Sequence, residues 1–520
     1  MNKRLLFLFV IVYCLLFAFV YPWYQYVFDP DATGYLRVAE RIAAGDYWNS
    51  VNGYWSPLNS WLLAPFIKMG FNAVLAAKWL NGVFGVVALI NAYFLLKKFK
   101  LHSKVAVAIM ALMVIVFLHF AFYQLFGDFL QVLCLLIYLN IICSKGFIKS
   151  NKKIILSSIV CGVAYYAKYY SLYFGVIFIA ITFFLLLKND RPESLYKTWI
   201  KKAGLALLIL VLIALPWAIT LSSKYHNFSF TTSGKINYSW YLSVAYEQPR
   251  VLVQPLAYDN SSSFWDDPSF WKGDFITPVT NKAVFLFQIK LFISHVLQYI
   301  GILNAFSFLT IIVLLLCAGL YLYKEKSFIY NNANSVLLVM ALVMPIGYLL
   351  VSMDDRYVWM VYISAIILAG VLLTVFEIEK RVFSKLFTTI IAIVFGSFCI
   401  YPLNQLQNQK ASGKNVYEIA EALKKNSIHG KFIANCTTAE EQANCTVLAY
   451  LVKDQFYGPS VVNVTPDEMN GVISDYRINY QLVFYNAPLQ KQQALHSTQA
   501  QAAAKVFPDL YPGVIVLQYK

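Results

Sequence analysis

The chain has 520 residues, of which 59% are hydrophobic, 17% aromatic and only 13% charged, and its formal net charge is +16. Apolar residues gathered in long runs, not in periodic stripes, exclude a soluble globular protein and imply a polytopic membrane protein. The basic residues fall in short clusters between those runs, the positive-inside pattern, which excludes the nucleic-acid partner that such a charge would otherwise suggest.

In chain order, "MNKR" precedes an apolar run at 5–20 that lacks a small-residue cleavage site, so it reads as a retained first span with a cytoplasmic amino terminus. Further spans are expected at 76–96, 105–122, 129–143, 154–167, 172–187, 203–221, 300–323, 336–351, 357–376 and 386–401, about eleven in all. The clusters around Lys97 to Lys104, Lys145 to Lys153, Lys188 to Lys202, Lys324 and Lys326, and Lys380 to Lys385 fall on one side. An odd number of spans then puts the carboxyl terminus on the other side.

That other side receives everything long and irregular. It holds a loop at 23–75, a loop at 222–299 and a tail at 402–520, which divides the chain into a transmembrane part, 1–401, and a C-terminal domain, 402–520. The tail has helical patterns at 416–425 and 446–454, strand-like runs at 431–434, 481–485 and 513–518, and "YGPS" as turn punctuation, the pattern of a small α/β domain. The segment 282–298 is amphipathic, with Lys290 and His295 among Phe and Leu, and is expected to lie at the membrane surface. Six of the eight cysteines sit in apolar runs as small hydrophobes. Cys436 and Cys445, in "NCTTAEEQANC", are expected to close a short loop disulfide in an oxidising compartment.

Familiar nucleotide and metallopeptidase chemistries drop out. "SGKN" around Lys414 lacks the glycine spacing of a P-loop, and the six histidines are scattered with no H-E-x-x-H. An enzyme of this kind must take an activated substrate, and inside a bilayer the natural activated form is a lipid phosphate. The first external loop, "FDPDATGYLRVAERIAAGDYWNSVNGYWSPLNSWLLAPF" from Phe28, carries acids between membrane segments. Tyr35, Val38, Ala39 and Ile42 share one helical face, and Gly45 can end the helix in a left-handed turn. Asp31 then stands at the N-cap, with Asp29 starting a Pro turn. A capping carboxylate and a catalytic one are both compatible with this spacing.

Asp31, Tyr35, Ala39 and Gly45 followed by "WSPLNSWLLAPF" resemble the integral-membrane glycosyltransferases of the GT-C superfamily, in particular the protein O-mannosyltransferase and lipid A aminoarabinose transferase branch. "YQLFGDFLQVL" with Asp128, "AYYAKYYSLYFG" with Lys168, "ALPWAIT" with its proline and "MDDRYVWM" with Arg356 and Tyr357 follow in the family's order, through about Phe376. The departure is the acidic pair, usually Asp-Glu in the family, where Ala32 follows Asp31 and the second acid, Asp29, precedes it.

The resemblance implies a GT-C-like α-helical fold and inverting transfer of a sugar from a polyprenyl-phosphate donor to a glycan, lipid or protein acceptor. It places the enzyme in a bacterial inner membrane with its active site on the extracytoplasmic side. Asp31, seconded by Asp29, is the implied base, and Asp128 orients the acceptor or helps hold a divalent metal cation. Lys168 and Arg356 bind the lipid phosphate, with Tyr35, Trp55 and Tyr357 as further substrate-binding residues. His226 and Glu247, in the second loop, are candidate metal or sugar ligands. On the residues alone, Lys168 also reads as a snorkelling interface lysine and Asp354 to Arg356 as a solvated turn. A transporter or flippase of a lipid-linked or small solute is the rival reading. It expects ionisable groups along a path across the bilayer, whereas these residues map to one face.

Overall fold

The computed structural model describes residues 2–123, 125, 127–190, 194–243, 252–323, 331–378, 384–458 and 464–519. An apolar helix α1, Lys3–Tyr24, leads into a reentrant pair on one side of the bundle, α2 at Pro30–Ala43 and α3 at Pro57–Lys68. The bundle continues through α4 Ala73–Leu96, α5 Ser103–Tyr123, α6 Gly127–Ile142, α7 Asn151–Ala167, α8 Tyr170–Asp190 and α9 Leu195–Tyr225. After a loop containing α10, Ser233–Leu242, come α11 Lys282–Phe306, α12 Thr310–Leu322, α13 Asn332–Val343, α14 Ile346–Val351, α15 Trp359–Ile378 and α16 Ser384–Gln409.

Nine helical segments among the described residues are long and apolar enough to cross a membrane, with α6 and α12 as shorter apolar helices. The chain is therefore a multi-pass membrane protein. Burial sorts them: Asp355–Val375 is 94% buried at the centre, while α1 is 11% buried and turns most of its apolar surface toward lipid.

The lysine-rich turns meet at one end. Lys149 pairs with Asp190 at 2.8 Å, Lys202 donates to Asn151 at 2.6 Å, and Asn331 donates to the Lys98 carbonyl at 3.1 Å. Arg191, Lys324, Lys326, Lys380 and Arg381 lie outside the described residues.

The segment expected as a surface helix at 282–298 is part of one helix, α11, that runs on to Phe306. Gln288, His295 and Gln298, spread over about 15 Å of helix, bond to the carbonyls of Leu350, Leu349 and Met353. These three contacts pack α11 against the end of α14 and the residues that follow it. The span expected at 300–323 is divided between two helices, α11 ending at Phe306 and α12 beginning at Thr310, after Ser307 has bonded Ser397 at 2.7 Å.

Beyond α16 lies a mixed five-stranded sheet in the order β2-β1-β3-β5-β4, with β1 Lys431–Ala434, β2 Gln455–Phe456, β3 Tyr480–Phe484, β4 Lys505–Tyr511 and β5 Val514–Gln518. β1, β2 and β3 are parallel; β5 is antiparallel to β3 and β4. Helices α17 Lys414–Lys425, α18 Ala439–Val452, α19 Pro466–Tyr476, α20 Pro488–Leu495 and α21 Thr498–Ala502 complete the domain. Phe432 stacks between Phe456 and Tyr480, each ring centroid 5.0 Å away.

Helix α18 starts seven residues before the expected 446, because Thr438 and Glu441 form a reciprocal capping box. Cys445 is therefore on a helix and not in a loop. It and Cys436 are buried neighbours. Of "YGPS", Pro459 and Ser460 lie outside the described residues.

Candidate active site

Asp29, not Asp31, caps α2: its carboxylate accepts the Asp31 backbone N–H at 2.8 Å. The reason is local. Pro30 has no N–H and a φ suited to the first helical position, so the cap falls on the residue before it. The entry to this helix is fixed from below, where the buried Lys78 ammonium donates to the carbonyls of Tyr24 and Val27 at 2.6 and 2.7 Å, satisfying groups that the end of α1 leaves open.

With capping assigned to Asp29, the Asp31 side chain is directed elsewhere. One oxygen accepts the Trp265 indole N–H at 3.1 Å and the other the Arg356 guanidinium at 3.2 Å. Desolvation, with the Asp31 charge beside it, pushes the Asp29 carboxyl up to about 7 against the lowering effect of Arg356.

Trp265 is a site residue that sequence reasoning misses, although "FWDD" places aromatics and acids together in an external loop. Its backbone carbonyl accepts the Trp55 indole N–H at 2.9 Å, and its ring stacks on Trp240 at 5.5 Å. Gly34 makes room for Trp55: a Cβ there would lie 2.1 Å from the indole nitrogen.

The next residue, Asp266, is fully buried and anchors the turn. It pairs with Arg37 at 3.2 Å and Arg41 at 3.4 Å, and accepts both N–H and O–H of Ser262. The polar face of α2 is thus a clamp for the loop that carries Trp265. Asp266→Ala leaves Arg41 buried without its counter-charge and should cost about 3–5 kcal/mol. The expected result is a lower unfolding temperature together with altered Trp fluorescence, and an unchanged melt would refute the clamp.

A second acid–base pair lies beside the first. Lys168, at the C-cap of α7, is in contact with the carboxylate of Asp128 in the first turn of α6, and its ammonium sits 4.2 Å over the Tyr357 ring. Burial lowers the Lys168 pKa from its ordinary value, and Asp128 opposes that shift. Gly127 permits the approach, since a Cβ there would lie 2.2 Å from the Ala167 carbonyl oxygen and 3.6 Å from the Tyr35 hydroxyl. That hydroxyl is within electrostatic range of both Asp128 and Asp31.

Arg356 is held from its own turn by Asp354 at 3.1 Å. Asp355, which points the other way, accepts hydrogen bonds from Tyr123 and Tyr401 and pins the turn to α5 and α16. The sequence gives no sign of this tyrosine clamp, because its members are 232 and 46 residues apart from Asp355.

The structure thus brings together Asp29, Asp31, Tyr35, Trp55, Asp128, Lys168, Arg356 and Tyr357, at the end of the bundle opposite the lysine-rich turns. His226 stands apart, exposed in the left-handed conformation at the end of α9, and Glu247 lies outside the described residues. Among the described residues no group of three or more His, Cys, Asp or Glu side chains could hold a metal ion. Asp128 instead faces a cation of the protein's own.

No protein-family profile and no curated protein matches this sequence. Solved structures do. ArnT from Cupriavidus metallidurans, bound to undecaprenyl phosphate, superposes with a TM-score of 0.56 at 12% identity, over 99% of this chain and 98% of that one. The apo oligosaccharyltransferase of Archaeoglobus fulgidus gives 0.56 at 12% identity, over 93% of this chain and 69% of that one. The oligosaccharyltransferase AglB from Archaeoglobus fulgidus, in complex with an inhibitory peptide and a dolichol-phosphate, gives 0.52 at 13% identity, over 88% and 66%. This chain has the GT-C fold. At such identities the likeness reaches the fold and no further. The GT-C architecture here means an acidic first loop, a polytopic bundle and a C-terminal domain docked on the loops. Tyr450 of α18 donates to Glu40 at 2.6 Å. The Phe456 N–H on edge strand β2 bonds the Ser262 carbonyl, in the Trp265 loop, at 2.8 Å.

Proposed function

We propose that the protein is an inverting glycosyltransferase that moves a sugar from a polyprenyl-phosphate donor to an extracytoplasmic glycan, lipid or protein acceptor. The observation that carries this reading is the Asp31 carboxylate, relieved of capping by Asp29 and aimed by Trp265 and Arg356 beside the cations Arg356 and Lys168. ArnT bound to undecaprenyl phosphate and AglB with a dolichol-phosphate share the fold and support a lipid phosphate as the donor's carrier. A Zn- and sulfate-bound form of the archaeal protein also shares it, but the steps below use only this chain's side chains.

The acceptor hydroxyl gives its proton to Asp31 as its oxygen attacks the anomeric carbon. The bond from that carbon to the phosphate oxygen breaks, and the electron pair leaves with the polyprenyl phosphate. That leaving group needs charge neutralisation and no proton donor, which Arg356 and Lys168 supply. Asp128 holds Lys168 in place, and Tyr35, Trp55 and Tyr357 wall the space around the sugar. Charged groups gathered at one end of the bundle favour chemistry at a surface over passage across the bilayer. Mass spectrometry of envelope glycolipids and glycoproteins should show one sugar modification absent from cells lacking the protein and restored by complementation. Unchanged envelopes would refute the reading.

Asp29 gives the reaction a pH dependence. With its carboxyl raised to about 7, Asp29 ionises as pH rises through that value, adding negative charge beside Asp31 and strengthening it as a base. Turnover should rise through a limb near pH 7, and Asp29→Asn should abolish that limb. The linkage to stability has the opposite sense. Native Asp29 keeps its proton to about pH 7 and an unfolded aspartate only to about 4, so its contribution is greatest at acid pH and is lost as pH rises through 7.

The site and the C-terminal domain face the extracytoplasmic side, with the amino terminus in the cytoplasm. Reporter fusions after His102 and after Gln518 should therefore give opposite signals, and equal signals would contradict this topology. In that compartment the adjacent thiols of Cys436 and Cys445 become a disulfide.

A further inference from the structure

A cavity of about 320 Å³ opens in the C-terminal domain, lined by none of the residues assigned above to transfer. Asn435 follows β1, Phe484 ends β3, and both line it. The chain leaves β1 toward β2 on one side and leaves β3 toward β4, beyond β5, on the other, so the cavity lies at the carboxyl ends of parallel strands where the strand order reverses. In open α/β sheets that crevice is where ligands bind.

The lining is amide-rich and uncharged: it includes no Asp, Glu, Lys or Arg. Its amides are also oriented. The Asn435 side-chain oxygen accepts the Phe484 backbone N–H at 2.8 Å, and the Gln490 oxygen accepts that of Asn486 at 2.8 Å. A backbone N–H can only donate, so in both residues the oxygen is committed and the NH₂ end remains for a ligand. Gln481, almost fully buried, likewise has its oxygen bonded to the Tyr519 hydroxyl at 2.7 Å. Met469, Val483 and Leu517 supply an apolar floor.

We infer that this cavity is a binding site for a neutral saccharide. Preset N–H donors without charge select a ligand with oxygen acceptors and no ionic group, and the apolar floor suits the C–H face of a sugar ring. The volume, near the lower end of the roughly 300–1,000 Å³ typical of small-molecule sites, admits one or two rings. A peptide fits less well, because β1 and β3 pair with each other and offer no free edge for an added strand. The inference stands on the cavity and does not depend on the transferase reading.

The test uses the full-length protein in lipid nanodiscs, titrated with neutral trisaccharides built from glucose, mannose, galactose or N-acetylglucosamine, and with a blocked alanine tripeptide. Saturation-transfer NMR and calorimetry should detect at least one saccharide and not the tripeptide. Asn435→Asp and Gln490→Glu keep size and the oxygen that accepts the backbone N–H but remove the donor, and each should weaken binding at least about tenfold. Asp31→Asn should leave saccharide affinity unchanged, which separates this site from the one proposed for transfer. Failure of every saccharide to bind, indifference to both cavity substitutions, or equal binding of the tripeptide would overturn the inference.

Discussion

Asp31→Asn should lower the proposed sugar transfer at least about a hundredfold while the protein still inserts, folds and binds a polyprenyl-phosphate carrier. The substitution keeps the side chain's size and an oxygen for the Trp265 N–H, but an amide cannot accept a proton at neutral pH. Stability should change little, because the cap of α2 is Asp29 and not Asp31. Asp29→Asn is the matched control: Asn caps about as well as Asp, so the helix start survives and the remaining effect reports the charge beside Asp31. Complementation of cells lacking the protein, read by mass spectrometry of the restored modification, measures both. Near-normal transfer by Asp31→Asn with an inactive Asp29→Asn would reassign the base to Asp29, and near-normal transfer by both would end the proposed mechanism.

Arg356→Lys should cost about 10²–10³ in turnover, the loss typical of removing one oriented donor to a developing negative charge. Charge is conserved, yet an ammonium cannot reach Asp31 and Asp354 in the fork that the guanidinium uses at 3.2 and 3.1 Å, nor present a flat edge to phosphate. Lys168→Met provides the contrast. It leaves the buried Asp128 carboxylate unpaired, so part of its loss is structural and should be recovered in the double variant with Asp128→Asn. No such recovery is open to Arg356→Lys. If Arg356→Lys retained turnover and changed only the affinity for donor, the arginine would act in uniform binding and not in stabilising the leaving phosphate.

Motif order in the sequence is enough to place Asp31, Asp128, Lys168 and Arg356, since each stands at a helix end next to a run of apolar residues. What it lacks is the partner of each. Asp31 reads as an N-cap because periodicity marks a helix start only to within a residue or two, and the Asp-Pro pair at 29–30 is the finer signal. Trp265 and Asp266 sit in a loop with no periodicity, and their roles follow from contacts more than 200 residues away in the chain. The helix at 282–298 is legible as amphipathic, but its end is not, because the apolar run continues through Phe306 without a break. In the C-terminal domain the core strands are legible as short apolar runs. β4 is not, since it has no fully buried residue and carries Pro508 and Asp509.

The span between Asp31 and Arg356 has a bearing on how the protein is made. Their ion pair joins residues 325 positions apart, and the other contributors enter at 128, 168 and 265. A ribosome-bound chain therefore holds the proposed base for most of its synthesis before the arginine that completes the site has been translated. On the proposed mechanism, prematurely terminated chains lacking Arg356 would be catalytically silent, so a cell accumulating them would risk membrane crowding but not misdirected transfer.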